Sequence, residues 1–262
     1  VIIPALLNRG LTLADAREYN IIGCVEPQKA GKTDGWHDAA FFNMCRPLEL
    51  VFSNGMDKGE LVGIQTGDVT KMTTFEEFYD AYKKQMEYCI SLLVNADNAI
   101  DVAHAERVPL PFESCMVDDC ISRGLSVQEG GAIYNFTGPQ GFGIANMADS
   151  LYAIRKLVYE DKKVSMEEYK EALAWNYDKG LDEQSVKDIS EMILKGMQDG
   201  GMNVTEDTAK AVLTTVMRLK PTEEQLRRFT EIHHMIDEVP KYGNAIDDVD
   251  YFCKRRSLYI HT

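Results

Sequence analysis

Ile21-Ile22-Gly23-Cys24-Val25-Glu26-Pro27 sets a thiol and a carboxylate two residues apart in a loop whose glycine and proline restrict its shape. Gly23 tolerates positive φ just before Cys24, and Pro27 stiffens the exit. In an extended loop residues 24 and 26 project to the same side, so Cys24 and Glu26 share one small volume. Trp36, His37 and Asp38 follow a few residues on. On composition alone Cys24 is a buried small hydrophobe, as free cysteines usually are. Its neighbour shifts that balance. A nucleophilic cysteine wants an imidazole or a cation to favour the thiolate. Glu26 does the reverse, and with burial it preserves the S–H that hydrogen-atom transfer needs.

Around this loop the chain of 262 residues is 45% hydrophobic and 27% charged, the balance of an ordinary globular protein. Its net charge of -14 argues against nucleic acid and against anionic membrane surfaces. No apolar run approaches the roughly 18 residues of a membrane span. Cys24, Cys45, Cys89, Cys115, Cys120 and Cys253 are irregularly spaced, without a Cys-x-x-Cys pair, and no histidine joins them in a zinc pattern. Free thiols in a reducing cytosol, and no structural metal, are the expectation. The chain starts at Val1 and stops at Thr262 inside a helical pattern, so both ends read as cut.

The chain reads as mostly helical α/β. Val1-Ile2-Ile3 reads as the end of a strand, and Leu13 to Tyr19 as a helical turn or two. Apolar residues at three and four from Trp36 to Phe52 predict a helix, which Asn54-Gly55 would stop. Thr74 and Glu77 form a capping box that opens a helix reaching about Ala105. Ser165/Glu168 and Thr222/Gln225 repeat the signature, so 165–260 reads as mostly helical. Only Gly131 to Phe136 reads as a convincing strand. So few strands cannot close a sheet, and the missing ones are expected outside these residues.

Two nucleotide-binding lookalikes fail. Ala30-Gly31-Lys32-Thr33 ends like a phosphate loop, yet Glu26 stands where the first glycine would be. Gly138-Pro139-Gln140-Gly141-Phe142-Gly143 has the wrong glycine spacing for a dinucleotide fingerprint and suits a close backbone turn. His104 and His233-His234 read as surface or satisfied core residues. Asp247, Asp248 and Asp250 read as a helix N-terminus favouring negative charge.

Gly23-Cys24-Val25-Glu26-Pro27 followed by Gly35-Trp36-His37-Asp38-Ala39-Ala40-Phe41-Phe42-Asn43 resembles the active-site loop of glycyl radical enzymes of the pyruvate formate-lyase superfamily. Within that superfamily the resemblance is greatest to the cobalamin-independent glycerol and propane-1,2-diol dehydratases. His104-Ala105-Glu106-Arg107, Pro109-Leu110-Pro111-Phe112, Tyr134 to Gly141 and Tyr242-Gly243-Asn244 resemble them as well. The likeness covers about 1–160 and 240–252, and 161–239 carries none that we identify. The resemblance implies a ten-stranded β/α barrel, two five-stranded half-barrels ringed by helices, with the cysteine loop at its centre. Residues 1–262 would form the central to C-terminal part of that catalytic domain, without the glycyl-radical domain.

The resemblance further implies a thiyl radical on Cys24, Glu26 as general base with a raised pKa in a dry pocket, and Asp38 as a substrate-site aspartate. His37 would pack outward or support the loop. A glycyl radical on a residue outside this chain, installed by an S-adenosylmethionine-dependent iron–sulfur activating enzyme, would be the cofactor. No Arg-Val-x-Gly-Tyr run occurs here, so these residues alone should be inactive. The implied partners are a small diol, the activating enzyme and a second copy in a homodimer. The implied setting is the cytoplasm of an anaerobic bacterium, with a microcompartment as an alternative. Sister lyases of choline, hydroxyproline, isethionate or arylacetate share the Cys-x-Glu loop. Acyl transfer by a formate acetyltransferase is disfavoured, since that enzyme carries adjacent cysteines where this chain has Gly23-Cys24. A degenerate, non-enzymatic paralogue is the second class of reading, and a nucleotide-binding module the third.

Overall fold

The computed structural model describes residues 1–175, 183–201, 204–205, 207–212, 221–250 and 252. Cys253, the helical reading of the chain's end and parts of 165–260 lie outside the described residues. The chain divides into two units, Val1–Thr66 with Asp80–Ile144, and Gly67–Tyr79 with Ala145–Thr262.

In the first unit α1 (Ile2–Asn8) and α2 (Leu13–Arg17) open the chain. The strand expected at Val1-Ile2-Ile3 is therefore a helix. Ile2, Ile3 and Leu6 recur at helical spacing and pack with Leu11 and Ala16, and Pro4 falls in the first turn, where its missing N–H removes no bond. Thr12 caps α2 as its hydroxyl accepts the Asp15 N–H at 3.1 Å.

Strands β1 (Asn20–Ile22) and β2 (Glu26–Gln28) form an antiparallel hairpin. Strand β3 (Thr33–Trp36) pairs parallel with β7 (Tyr134–Thr137), and β4 (Phe41–Asn43) pairs parallel with β8 (Gln140–Phe142). Between Trp36 and Phe52 only α3 (Arg46–Phe52) is helical. The apolar pair Phe41-Phe42 is drawn instead into pairing with a segment about a hundred residues away, which local periodicity cannot register. Asn54 and Gly55, at φ 53° and 81°, end α3 as expected. A small hairpin, β5 (Met56–Asp57) with β6 (Glu60–Leu61), follows.

Helix α4 (Phe75–Arg107) is 33 residues long and starts at the predicted box. The Glu77 N–H donates to the Thr74 hydroxyl at 3.2 Å, while the Glu77 carboxylate accepts the Thr73 and Thr74 amides. Beyond it lie α5 (Pro111–Ser114) and α6 (Cys120–Arg123). The wholly buried Gln85 of α4 performs the work of a missing strand. Its amide donates to the Ile64 carbonyl at 2.5 Å and accepts the Ile64 N–H at 3.2 Å. Gly55 and Gly63 clear the space, since a Cβ on Gly55 would come within 2.5 Å of the Ile64 carbonyl oxygen.

The second unit contains α7 (Ile144–Ile154), which continues as a π-helical segment Arg155–Glu160, then α8 (Met166–Ala174), α9 (Glu183–Asp199) and α10 (Glu223–Glu238). Both predicted capping boxes, Ser165/Glu168 and Thr222/Gln225, are present. Arg228 of α10 donates to Glu168 at 3.0 Å and to the Lys163 carbonyl at 2.9 Å, fixing α10 beside the start of α8. Residues 247–250 are helical, with Asp248 accepting the Tyr152 hydroxyl at 2.6 Å and Asp250 the Gly243 amide at 2.8 Å.

The described residues are thus mostly helical α/β, as expected. The strands differ from expectation. Among the described residues eight strands of two to four residues pair two by two, where a single convincing strand, Gly131 to Phe136, was expected and is found at Tyr134–Thr137. Alternation cannot show in segments so short. Replacing Gln85 by Met keeps its volume but strands both backbone groups of Ile64. The expected loss is roughly 2–4 kcal/mol, read as a lower urea midpoint; an unchanged midpoint would deny Gln85 this role.

Candidate active site

The two parallel pairs follow one another along the same two segments, with a defect between them. Trp36 faces Thr137 and Phe41 faces Gln140, so His37–Ala40 stand opposite only Gly138 and Pro139. The defect is clamped at both ends: the Gly138 N–H donates to the Trp36 carbonyl at 2.8 Å, and the Gln140 N–H to the Ala40 carbonyl at 2.7 Å. Such a bulge re-aims the side chains it carries. Gly138 lets the segments approach closely, since a Cβ there would lie 3.3 Å from the His37 Cα.

His37 and Asp38 separate within the bulge. The His37 ring folds back over Gly35, where a Cβ would meet its Nε2 at 2.2 Å, and lies 6.1 Å from the Phe136 ring. It therefore supports the loop instead of packing outward. Asp38 is exposed and accepts a hydrogen bond from the Gln140 side-chain amide. The same Gln140 Nε2 donates to Glu26 Oε1 at 3.1 Å. Glu26 and Asp38, twelve residues apart in sequence, are thus joined through one amide. Sequence reading placed Gln140 in a motif and gave it no role; its one signal was a long polar side chain directly after a Gly-Pro turn.

Cys24 occupies the tip of the β1–β2 hairpin, in the turn Gly23-Cys24-Val25, and is exposed. The expected extended loop is a tight turn, and the expected burial of the thiol is absent from this chain. Gly23 sits at φ +54°, and a Cβ there would strike Glu26 Oε2 at 2.5 Å. The Glu26 side chain folds back across the turn so that Oε2 accepts the Val25 N–H at 2.9 Å. That amide, then Glu26's own, with smaller help from the Cys24 amide and Gln140, outweighs burial and holds the Glu26 carboxyl below its usual range. The raised value expected for Glu26 is corrected accordingly: converging turn amides stabilise the anion.

The phosphate-loop lookalike is fully engaged elsewhere. Lys32 pairs with Asp15 at 2.9 Å, and the Tyr134 hydroxyl donates to the same carboxylate at 2.7 Å, which holds Asp15 down to about 2. Among the described residues no group of three His, Cys, Asp or Glu side chains could hold a metal, and no helix is long and apolar enough to cross a membrane.

The sequence profile of the family described as pyruvate formate lyase-like matches residues 1–261, and so runs through the 161–239 segment in which sequence reading found no likeness. A solved structure concerned with 1,2-propanediol dehydration in Roseburia inulinivorans is 61% identical, with a TM-score of 0.91, covering 99% of this chain and 31% of that one. The glycerol-bound form of the B12-independent glycerol dehydratase from Clostridium butyricum is 43% identical, with a TM-score of 0.76, covering 98% of this chain and 27% of that one. The (2S)-3-sulfopropanediol dehydratase of Klebsiella oxytoca is 38% identical over 177 residues, 67% of this chain and 21% of its own length. The chain spans less than a third of each relative.

The face of β3 that carries Asp34 and Trp36 lines a separate cleft of about 470 Å³, bordered by Asp101, His104, Gln128 and Asn135. Burial first, then the charges of Glu113 and Asp101, push the Asp34 carboxyl from its ordinary 3.8 up to about 6. A raised carboxyl binds its proton more tightly in the folded state. Its stabilising contribution is present below 3.8 and lost as pH rises through about 6. Asp34→Asn should therefore raise the urea midpoint at neutral pH and leave it unchanged below about pH 4. An equal gain at both pH values would contradict this.

Proposed function

The chain belongs to the pyruvate formate lyase-like family, and from that premise we propose that it carries the thiyl and general-base half of a glycyl radical dehydratase of a small 1,2-diol. The observation that supports this most is the pair of carboxylates, Glu26 and Asp38, joined through Gln140 beside the turn that presents Cys24. Propane-1,2-diol and glycerol are the preferred substrates. The named relatives act on propane-1,2-diol, glycerol and sulfopropanediol, which share a 1,2-diol, and identity is 61% for the first.

Cys24 stands at the tip of the β1–β2 hairpin. When present, the glycyl radical supplies the acceptor for the hydrogen atom of that thiol. The Cys24 thiyl then takes a hydrogen atom from the carbinol carbon of the diol, becoming S–H again. Glu26 receives the proton of that carbon's hydroxyl, and Asp38 orients the neighbouring one. The resulting electron-rich carbon radical breaks the adjacent C–O bond, and the departing oxygen leaves as water with the proton that Glu26 took. Cys24 returns its hydrogen atom to the product radical, giving an aldehyde and restoring the thiyl. Diol becomes aldehyde plus water, with no external oxidant or reductant. The low Glu26 carboxyl keeps that base ionised and ready throughout the neutral range.

In the intact protein we place residues 1–262 in the central to C-terminal part of the catalytic domain. The 33–43 and 134–142 ladder would belong to a ten-stranded barrel of two five-stranded halves whose walls keep water and oxygen from the carbon radical. The radical glycine lies outside these residues, an S-adenosylmethionine-dependent iron–sulfur enzyme installs it, and the enzyme works as a cytoplasmic homodimer.

After anaerobic activation the intact protein should show a glycyl radical doublet in electron paramagnetic resonance. Cys24→Ala should keep the doublet and lose turnover. Glu26→Gln should keep it and lose roughly a hundredfold to ten-thousandfold in rate. Near-wild-type turnover of propane-1,2-diol by either variant would sink the role given to that residue.

A further inference from the structure

Glu26 and Asp38 arrive from different elements, the second strand of a hairpin and the bulge of a parallel ladder. One side chain touches both. A primary amide has two N–H hydrogens, so Gln140 can give one to each carboxylate. A neutral donor in that place bridges two acids whose bare carboxylates would repel each other. No lysine or arginine figures among the groups that hold Glu26.

Gln140 is itself tightly fixed. It opens β8, pairs with Phe41, and donates its own N–H to Ala40 of the segment that carries Asp38. Gly141, next in β8, packs against Met44, whose Sδ would lie 2.9 Å from a Cβ placed there. Glu26 has its other oxygen committed to the Val25 amide. Backbone therefore locates the amide, and the amide locates both acids.

Resting on the reading of Glu26 as base, we propose that Gln140 is the positioning residue of the site: its shared amide fixes the spacing of Glu26 and Asp38 to suit hydroxyls on adjacent carbons. It has no proton to transfer and no bond to the reacting atoms. Its absence frees the Asp38 side chain and removes a hydrogen bond that favours the ionised form of Glu26, so the acid limb of kcat/KM moves to higher pH.

The test uses the intact, anaerobically activated protein with propane-1,2-diol as probe. Gln140→Met, close in length and apolar, should keep the glycyl radical doublet and lose about tenfold in kcat/KM. Its acid limb should move to higher pH. Gln140→Glu, equal in shape, should move the limb further, because a third carboxylate joins the pair. If both variants keep the wild-type kcat/KM and acid limb, the proposal is overturned. It is overturned equally if both lose the doublet, since Gln140 would then be a folding residue. Near-wild-type turnover by Glu26→Gln would defeat the underlying reading instead, a separate result.

Discussion

Parallel pairing of 33–43 with 134–142, with four residues facing two in its middle, is the constraint on which everything else in the first unit depends. Parallel strands cannot be joined by a tight turn; they need a long crossover, and here it contains α3, the β5–β6 hairpin and the 33-residue α4. The excess residues cannot stay in the ladder. They buckle out, so that His37 falls back on Gly35 while Asp38 meets Gln140. The glycines along the ladder follow from that geometry. Gly35 makes room for an imidazole, Gly138 for the His37 backbone, and Gly141 for Met44.

The hairpin that carries Cys24 obeys a second, local rule. A turn this tight leaves amides pointing into its centre, and Glu26 is the anion that satisfies them. The same contact fixes the carboxylate and lowers its proton affinity. A base held as an anion is weaker than one raised by burial, but it is charged before substrate arrives and needs no reorganisation. Cys24, by contrast, is left exposed at the tip.

Helices were legible in the sequence where they announce their own starts. Thr74, Ser165 and Thr222, each with its partner three residues on, open α4, α8 and α10 as read. Cys24 and Glu26 stood out as candidates by residue type and spacing and Asp38 by the resemblance, and Glu26 and Asp38 are joined through one amide. What stayed hidden depends on residues far apart in the chain. Phe41-Phe42 read as helix because the segment that pairs with it lies about a hundred residues downstream. Ile2-Ile3 read as strand because Leu11, Ala16 and Phe136, which complete its core, are not its immediate neighbours. The low proton affinity of Glu26 was misread because the loop was taken as extended, and an extended loop has no converging amides. Gln140 escaped because nothing local distinguishes an amide that bridges two acids from one that faces solvent.

The central claim is geometric: Glu26 and Asp38 face one diol, held at a set distance by Gln140, with Cys24 over its carbinol carbon. A crystal structure of the intact protein with propane-1,2-diol bound tests it most directly. The account predicts Gln140 Nε2 within hydrogen-bond distance of both carboxylates, each carboxylate receiving a different hydroxyl, and the Cys24 sulfur against the carbon that loses hydrogen. A diol bound away from these residues, or Gln140 turned from either acid, would contradict it.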